Sequence, residues 1–113
     1  MAATRAGDVG AVLALMAYDV VFLVAGHEPM IGKAAYAASA QALAANGATV
    51  EGRSDILEVV VDRDLAFMRS TLEVTITVPG RAPTSRAGHV LTVLRRERGR
   101  WVVARDANLL APA

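Results

Sequence analysis

Leu72-Glu73-Val74-Thr75-Ile76-Thr77-Val78 alternates apolar and polar residues without a break. That period of two belongs to a β-strand with one covered face and one face toward water. The same strand reaches back to Leu65, and three further strands flank it. Thr49 to Val61 comes before it, across the turn Asp62-Arg63-Asp64. Thr84 to Arg96 follows Pro79-Gly80-Arg81-Ala82-Pro83, and Trp101 to Leu110 follows Arg98-Gly99-Arg100. Turns this short join antiparallel neighbours, so the second half predicts a four-stranded meander.

The first half reads as helical. Behind Asp8, a suitable N-cap, Val9, Val12, Leu13 and Met16 recur at three and four and mark one face of a short helix. Val20-Val21-Phe22-Leu23-Val24 is apolar throughout, as in a strand covered on both faces. Gly26-His27-Glu28-Pro29 is a loop. A second helix runs from about Lys33 to Asn46, with Tyr36 and Leu43 on one face and Asn46-Gly47 as its stop. No repeat or linker divides the 113 residues. The prediction is one α+β domain, residues 1–113, with its helices packed on one face of a curved, mostly antiparallel sheet.

Composition narrows the function classes. The net charge is +1, too balanced for a basic nucleic-acid or anionic-membrane footprint. Arg95, Arg96, Arg98 and Arg100 cluster at one hairpin without an aromatic stacking platform and read as a solvated turn. Hydrophobic residues make up 54%, yet no run approaches the roughly 18 consecutive apolar residues of a membrane span. The opening Met1-Ala2-Ala3-Thr4-Arg5-Ala6-Gly7-Asp8 lacks the basic start and apolar core of a signal peptide, and there is no cysteine. A cytoplasmic location is expected. Neither a glycine-rich phosphate loop nor a paired-histidine motif occurs, so no cofactor and no metal are expected.

The closing strand carries the functional question. Along Arg100-Trp101-Val102-Val103-Ala104-Arg105-Asp106-Ala107-Asn108-Leu109-Leu110, strict alternation puts Ala104, Asp106 and Asn108 on one face and Trp101, Val103 and Arg105 on the other. Burying a carboxylate and an amide unpaired costs about 1–3 kcal/mol each. They require either backbone or water partners or a ligand-sized cavity.

The order Ala6-Gly7-Asp8, Leu15-Met16-Ala17-Tyr18-Asp19-Val20-Val21-Phe22, Gly26-His27-Glu28-Pro29-Met30-Ile31-Gly32-Lys33, then a helix and a meander with Gly99-Arg100-Trp101, resembles the nuclear-transport-factor-2-like (NTF2-like) superfamily. The chain is most similar to its SnoaL-like and SgcJ/EcaC-type bacterial proteins, the latter through Ala104-Arg105-Asp106-Ala107-Asn108-Leu109-Leu110. The resemblance implies a cone-shaped, cystatin-like fold. In it a strongly bent sheet wraps helices around an apolar cavity, and a homodimer forms on the sheet's outer face. Isomerases, cyclases, hydrolases, dehydratases and pure binders share that fold, so it implies no single reaction.

Ketosteroid isomerases of the superfamily use a carboxylate base with a tyrosine and a protonated aspartate. None of the three carries over: the base position falls at Leu23 or Val24, the second aspartate at about Leu91, and the tyrosine ahead of Gly7-Asp8. The same comparison implies that Leu91 faces the pocket, and alternation brings His89 and Val93 with it. The implied cluster is His89 as general base, Asp106 as its orienter and Asn108 as electrophile. Phe22, Val24, Met30, Tyr36, Met68, Leu91 and Ala104 would line the pocket, and His27 with Glu28 would stand at its mouth. The expected function is binding of an apolar, polyketide-like or polycyclic molecule, with proton transfer upon it. The alternative is a non-catalytic ligand-binding or dimerising accessory protein.

Overall fold

The computed structural model describes residues 14–113. The helix expected behind Asp8 lies outside them, except that Met16, placed on its apolar face, instead opens the first strand. The elements are β1 (Met16–Val24), β2 (Met30–Ile31), α1 (Lys33–Ala45), β3 (Thr49–Asp62), β4 (Leu65–Thr77), β5 (Thr84–Glu97), β6 (Arg100–Asn108) and β7 (Ala111–Pro112). One curled sheet takes the order β2-β1-β6-β5-β4-β3, with β7 extending the β6 side of β5.

Local chemistry sets each reversal. Val78-Pro79-Gly80-Arg81 closes through Arg81 N–H donating to Val78 O at 3.0 Å, and Gly80 takes φ 80°. Proline second and a left-handed glycine third make a type II turn. Arg98 and Gly99 both have positive φ between the paired residues Glu97 and Arg100, the twist a two-residue hairpin requires. Helix α1 ends as its Asn46-Gly47 predicts. Gly47, at φ 71°, donates to Ala44 O and Ala48 to Leu43 O, which satisfies two terminal carbonyls.

The β3–β4–β5–β6 meander is antiparallel as expected. Strand β1 returns parallel to β6, from Met16 beside Val103 to Val24 beside Asn108. It brings the first half of the chain against the last strand. Helix α1 lies over β1 and β2, where the Tyr36 and Phe22 rings stack at 5.3 Å between centroids. Met16 and Val20 are buried beneath them, with Phe22, Tyr36 and Val103 packed around. Val20 is wholly enclosed, but Leu23 on the other face of β1 is 47% exposed, so β1 is covered on one face only.

Two bulges decide which side chains face the helix. Leu57 is the extra residue in β3, and Ala104 is the extra residue in β6, between the pairs Val93/Arg105 and Leu94/Val103. A bulge shifts the alternation by one. Val103 therefore turns inward together with Asp106, where strict alternation predicts opposite faces. Trp101 lies on the same side as Val103 and carries the Arg96 guanidinium 5.4 Å from its ring centroid. Ala104 is buried at the irregularity itself.

Charges pair at the hairpin end and on the outer face. Arg95 bonds both Asp19 and Glu97 and Arg96 pairs with Asp64, while Arg69 pairs with Glu58 on the outer face of the sheet. The hairpin arginines Arg95 and Arg96 are thus held by acidic side chains.

Candidate functional site

Paired residues of neighbouring strands share a face, so the register can be followed across the whole sheet. One row on the helix-bearing face runs Met30, Phe22, Asp106, Thr92, Met68, Val59. The adjacent row runs Val24, Asn108, Val90, Ser70, Ile56. Six of the expected pocket residues stand together here: Phe22, Val24, Met30, Met68, Asp106 and Asn108. Tyr36 joins them from α1.

Asp106 is the only ionisable side chain in these two rows. Thr92, itself 3% exposed, donates its hydroxyl hydrogen to Asp106 Oδ1 at 2.7 Å. Burial pushes the Asp106 carboxyl above the ordinary aspartate value of 3.8, and the Thr92 hydrogen bond offsets only part of that rise. No arginine or lysine contributes. Arg105, its neighbour in sequence, turns to the other face and donates to Asp19 O and Ala104 O. Asn108 Oδ1 is buried and has no hydrogen-bond partner among the described residues. Ser70 is a third buried polar residue of this wall, also 3% exposed.

His89 is a correction. It pairs with Thr71 on β4, which puts it on the outer face of the sheet, and it is exposed. There it borders a shallow groove of about 240 Å³ with Arg53, Asp55, Thr71 and Glu73. The physical reason is the pairing of Thr92 with Asp106: residues of β5 that share the face of Asp106 have even numbers, and His89 cannot reach through the sheet. Leu91 follows His89 and pairs outward with Ala107 and Arg69, so it does not line the inner wall. Ala104 belongs to the bulge, not to either row. His27 and Glu28 are exposed in the loop after β1, where His27 N–H donates to Val24 O. Among the described residues no three His, Asp or Glu side chains converge as metal ligands would.

Thr92 and Ser70 are missed by sequence reasoning. In β5, Val90-Thr92-Leu94 and Leu91-Val93 are both mostly apolar, so alternation alone does not tell which set faces inward.

The inner wall thus offers one carboxyl whose ionisation burial opposes, a hydroxyl that fixes it, and a buried amide oxygen. Such a carboxyl can give or take a proton near an apolar ligand. No described helix is long and apolar enough to cross a membrane.

Comparison with known proteins agrees with this architecture. A SnoaL-like domain model matches residues 1–104, a stretch that ends just before Arg105-Asp106. No curated protein matches the chain. Among solved structures, a conserved protein from Planctomyces limnophilus is 34% identical, with a TM-score of 0.91 over 99% of this chain and 88% of that one. A ketosteroid isomerase-like protein from Erwinia carotovora atroseptica is 28% identical, with a TM-score of 0.81 over 98% and 85%. An NTF2-like protein with a cystatin-like fold from Novosphingobium aromaticivorans is 27% identical, with a TM-score of 0.72 over 95% and 71%. The chain, with its curled sheet and the helix over β1 and β2, belongs to the SnoaL-like domain family of the NTF2-like superfamily.

Proposed function

We propose that the protein binds an apolar small molecule against the inner face of its sheet and transfers a proton on it, with Asp106 as the acid–base group. The observation that carries this reading is the Asp106 carboxyl. Among the described residues it is set with Phe22, Met30 and Met68, without a cation, and tied only to the Thr92 hydroxyl. An ionised carboxylate in such surroundings is a stronger base than one in water. The reaction class is removal of a proton from an acidic carbon of a polyketide-like or polycyclic substrate and its return at another position. Thr92 holds one carboxyl oxygen, which leaves Oδ2 for the proton. The likeness to a ketosteroid isomerase-like protein supports the same class.

The test is a screen of apolar ring compounds by thermal shift, followed by turnover of the best binders, with Asp106→Asn as the control. A ligand that binds only the folded chain raises its stability. Stabilisation by such ligands with turnover lost in Asp106→Asn is the expected result. Turnover that survives the substitution removes Asp106 from the chemistry. Ligand binding with no turnover in either protein leaves the accessory, ligand-holding reading.

The outer face supports a second copy of the chain as partner. Val60, Phe67, Leu91 and Leu23 are exposed there around the Arg69–Glu58 pair. Apolar side chains grouped on a sheet face mark an interaction surface. A homodimer at micromolar concentration is expected in sedimentation, and a monomer under those conditions excludes it.

A further inference from the structure

We infer that the ligand of the inner face is a neutral ring compound bearing a hydroxyl group, and that this hydroxyl donates to Asn108 Oδ1. The inference rests on the inner-face ligand site proposed above and names the chemistry that the site selects.

Asn108 Oδ1 is a buried acceptor with no donor among the described residues. Buried amide oxygens without a partner are uncommon in folded proteins, and a bound water or ligand hydroxyl is what satisfies such a group. The residues next to Asn108 in its row, Val24 and Val90, supply only hydrocarbon. Of the other polar side chains in the two inner rows, Thr92 is already committed to Asp106, and Ser70 stands a strand farther away, beyond Val90. The unmet need is therefore for one N–H or O–H at a fixed place, beside apolar surface.

Charge decides what kind of molecule brings it. The two inner rows hold no arginine, lysine or histidine, and the arginines farther along the same face of β5 are engaged, Arg86 by Leu110 O and Arg96 by Asp64, so an anionic ligand beside Asp106 would meet no free cation in these rows. A cation would have to shed its water beside the hydrocarbon of Val24, Val90 and Phe22, which is costly for a charge of either sign. A neutral hydroxyl meets the Asn108 requirement without either difficulty. Asp106 and Asn108 are alternate residues of β6, about 6.6 Å apart along the strand. That is the scale of a six-membered ring with a hydroxyl at one end and a carbonyl at the other, the carbonyl lying toward Asp106.

The inference is tested by calorimetric titration of the full chain at pH 6 with three ring probes: para-hydroxyacetophenone, its methyl ether para-methoxyacetophenone, and acetophenone. The hydroxyl compound is expected to bind about tenfold more tightly than the ether. In Asn108→Leu, which keeps the shape and removes the acceptor, the two should bind within about twofold of each other. Should Asn108→Leu not fold, the smaller Asn108→Ala serves in its place, and the comparison on the unaltered protein needs no variant. If the ether and acetophenone bind as tightly as the hydroxyl compound, the hydroxyl inference is overturned and the inner-face site stands. A preference for the hydroxyl that survives both substitutions also overturns it, because the donor then binds elsewhere. If none of the three binds, both the inference and the site on which it rests are overturned.

Discussion

The Thr92 hydroxyl lies 2.7 Å from Asp106 Oδ1, directly across the β5–β6 ladder. This bond joins one of the wall's two buried hydroxyls to its one carboxyl and fixes which oxygen is free to exchange a proton. Thr92→Val keeps the volume and removes the donor. Loss of a buried hydrogen bond to an ionisable group costs about 1.5–3 kcal/mol, read in urea unfolding at neutral pH. The carboxyl should also hold its proton to higher pH, because the bond that lowers its pKa is gone. Carbon-detected NMR of Asp106 reads that change, and an unmoved titration would show that the bond does not form in solution.

Asp106→Asn tests the burial effect through pH. Below the ordinary aspartate value of 3.8, folded and unfolded chains both hold the proton, so the carboxyl adds no pH dependence. Above it the unfolded chain releases the proton first, because the folded pKa is the higher of the two. Stability then falls as pH rises, until the folded carboxyl also ionises, and stays at the lower level beyond. The asparagine variant escapes this loss. Relative to the unaltered protein it should gain stability between acid and neutral pH, as measured by unfolding at several pH values. A gain confined to acid pH would give the opposite sign and contradict a carboxyl raised by burial.

How far the fold and site are legible in the sequence follows from these same residues. The meander is legible because Leu72–Thr77 alternates cleanly and its turns carry proline, glycine and charged residues at the positions the geometry demands. Strand β2 is hidden, since two residues of pairing leave no periodicity. The return of β1 parallel to β6 is hidden as well, because a strand's own pattern does not name its partner. Asp106 and Asn108 are legible as an inward pair, for both lie on the far side of the bulge from Val103. Ala104 has no signature that marks it as the extra residue, so Val103 and Trp101 are assigned the wrong face. In β5 the inward set is chosen by analogy through Leu91, and an error of one residue exchanges His89 for Thr92.

Gly88 shows how closely the end of the sheet is packed. A Cβ added there would stand 2.6 Å from Leu109 O and 3.2 Å from Leu110 Cα, both backbone atoms. Those atoms cannot rotate away as a side-chain tip can. The segment is otherwise held by Leu109 N–H to His89 O at 2.8 Å and by Arg86 Nη2 to Leu110 O at 2.9 Å. Gly88→Ala should push Leu109 and Leu110 off β5 and destabilise the fold by about 1–3 kcal/mol in denaturant unfolding. Amide exchange at Leu109 should quicken at the same time. An unaffected exchange rate would place the strand end farther from Gly88.

His89→Ala separates the two faces of the sheet. A histidine that oriented or relayed protons with Asp106 would be indispensable, and its removal would cost turnover and shift the Asp106 titration. Here its partner across the ladder is Thr71 and its surroundings are the exposed groove with Arg53, Asp55 and Glu73. The sheet itself stands between the two side chains. The substitution should therefore change stability by no more than about 0.5 kcal/mol and leave both ligand binding and the Asp106 titration in place. Because the outer face is also the proposed contact between two copies, sedimentation of the variant must accompany the measurement. Lost ligand binding with unchanged assembly would return His89 to the site and reverse the register of β5. Lost binding together with dissociation would instead show that the inner wall is shaped by contact between copies on the opposite face.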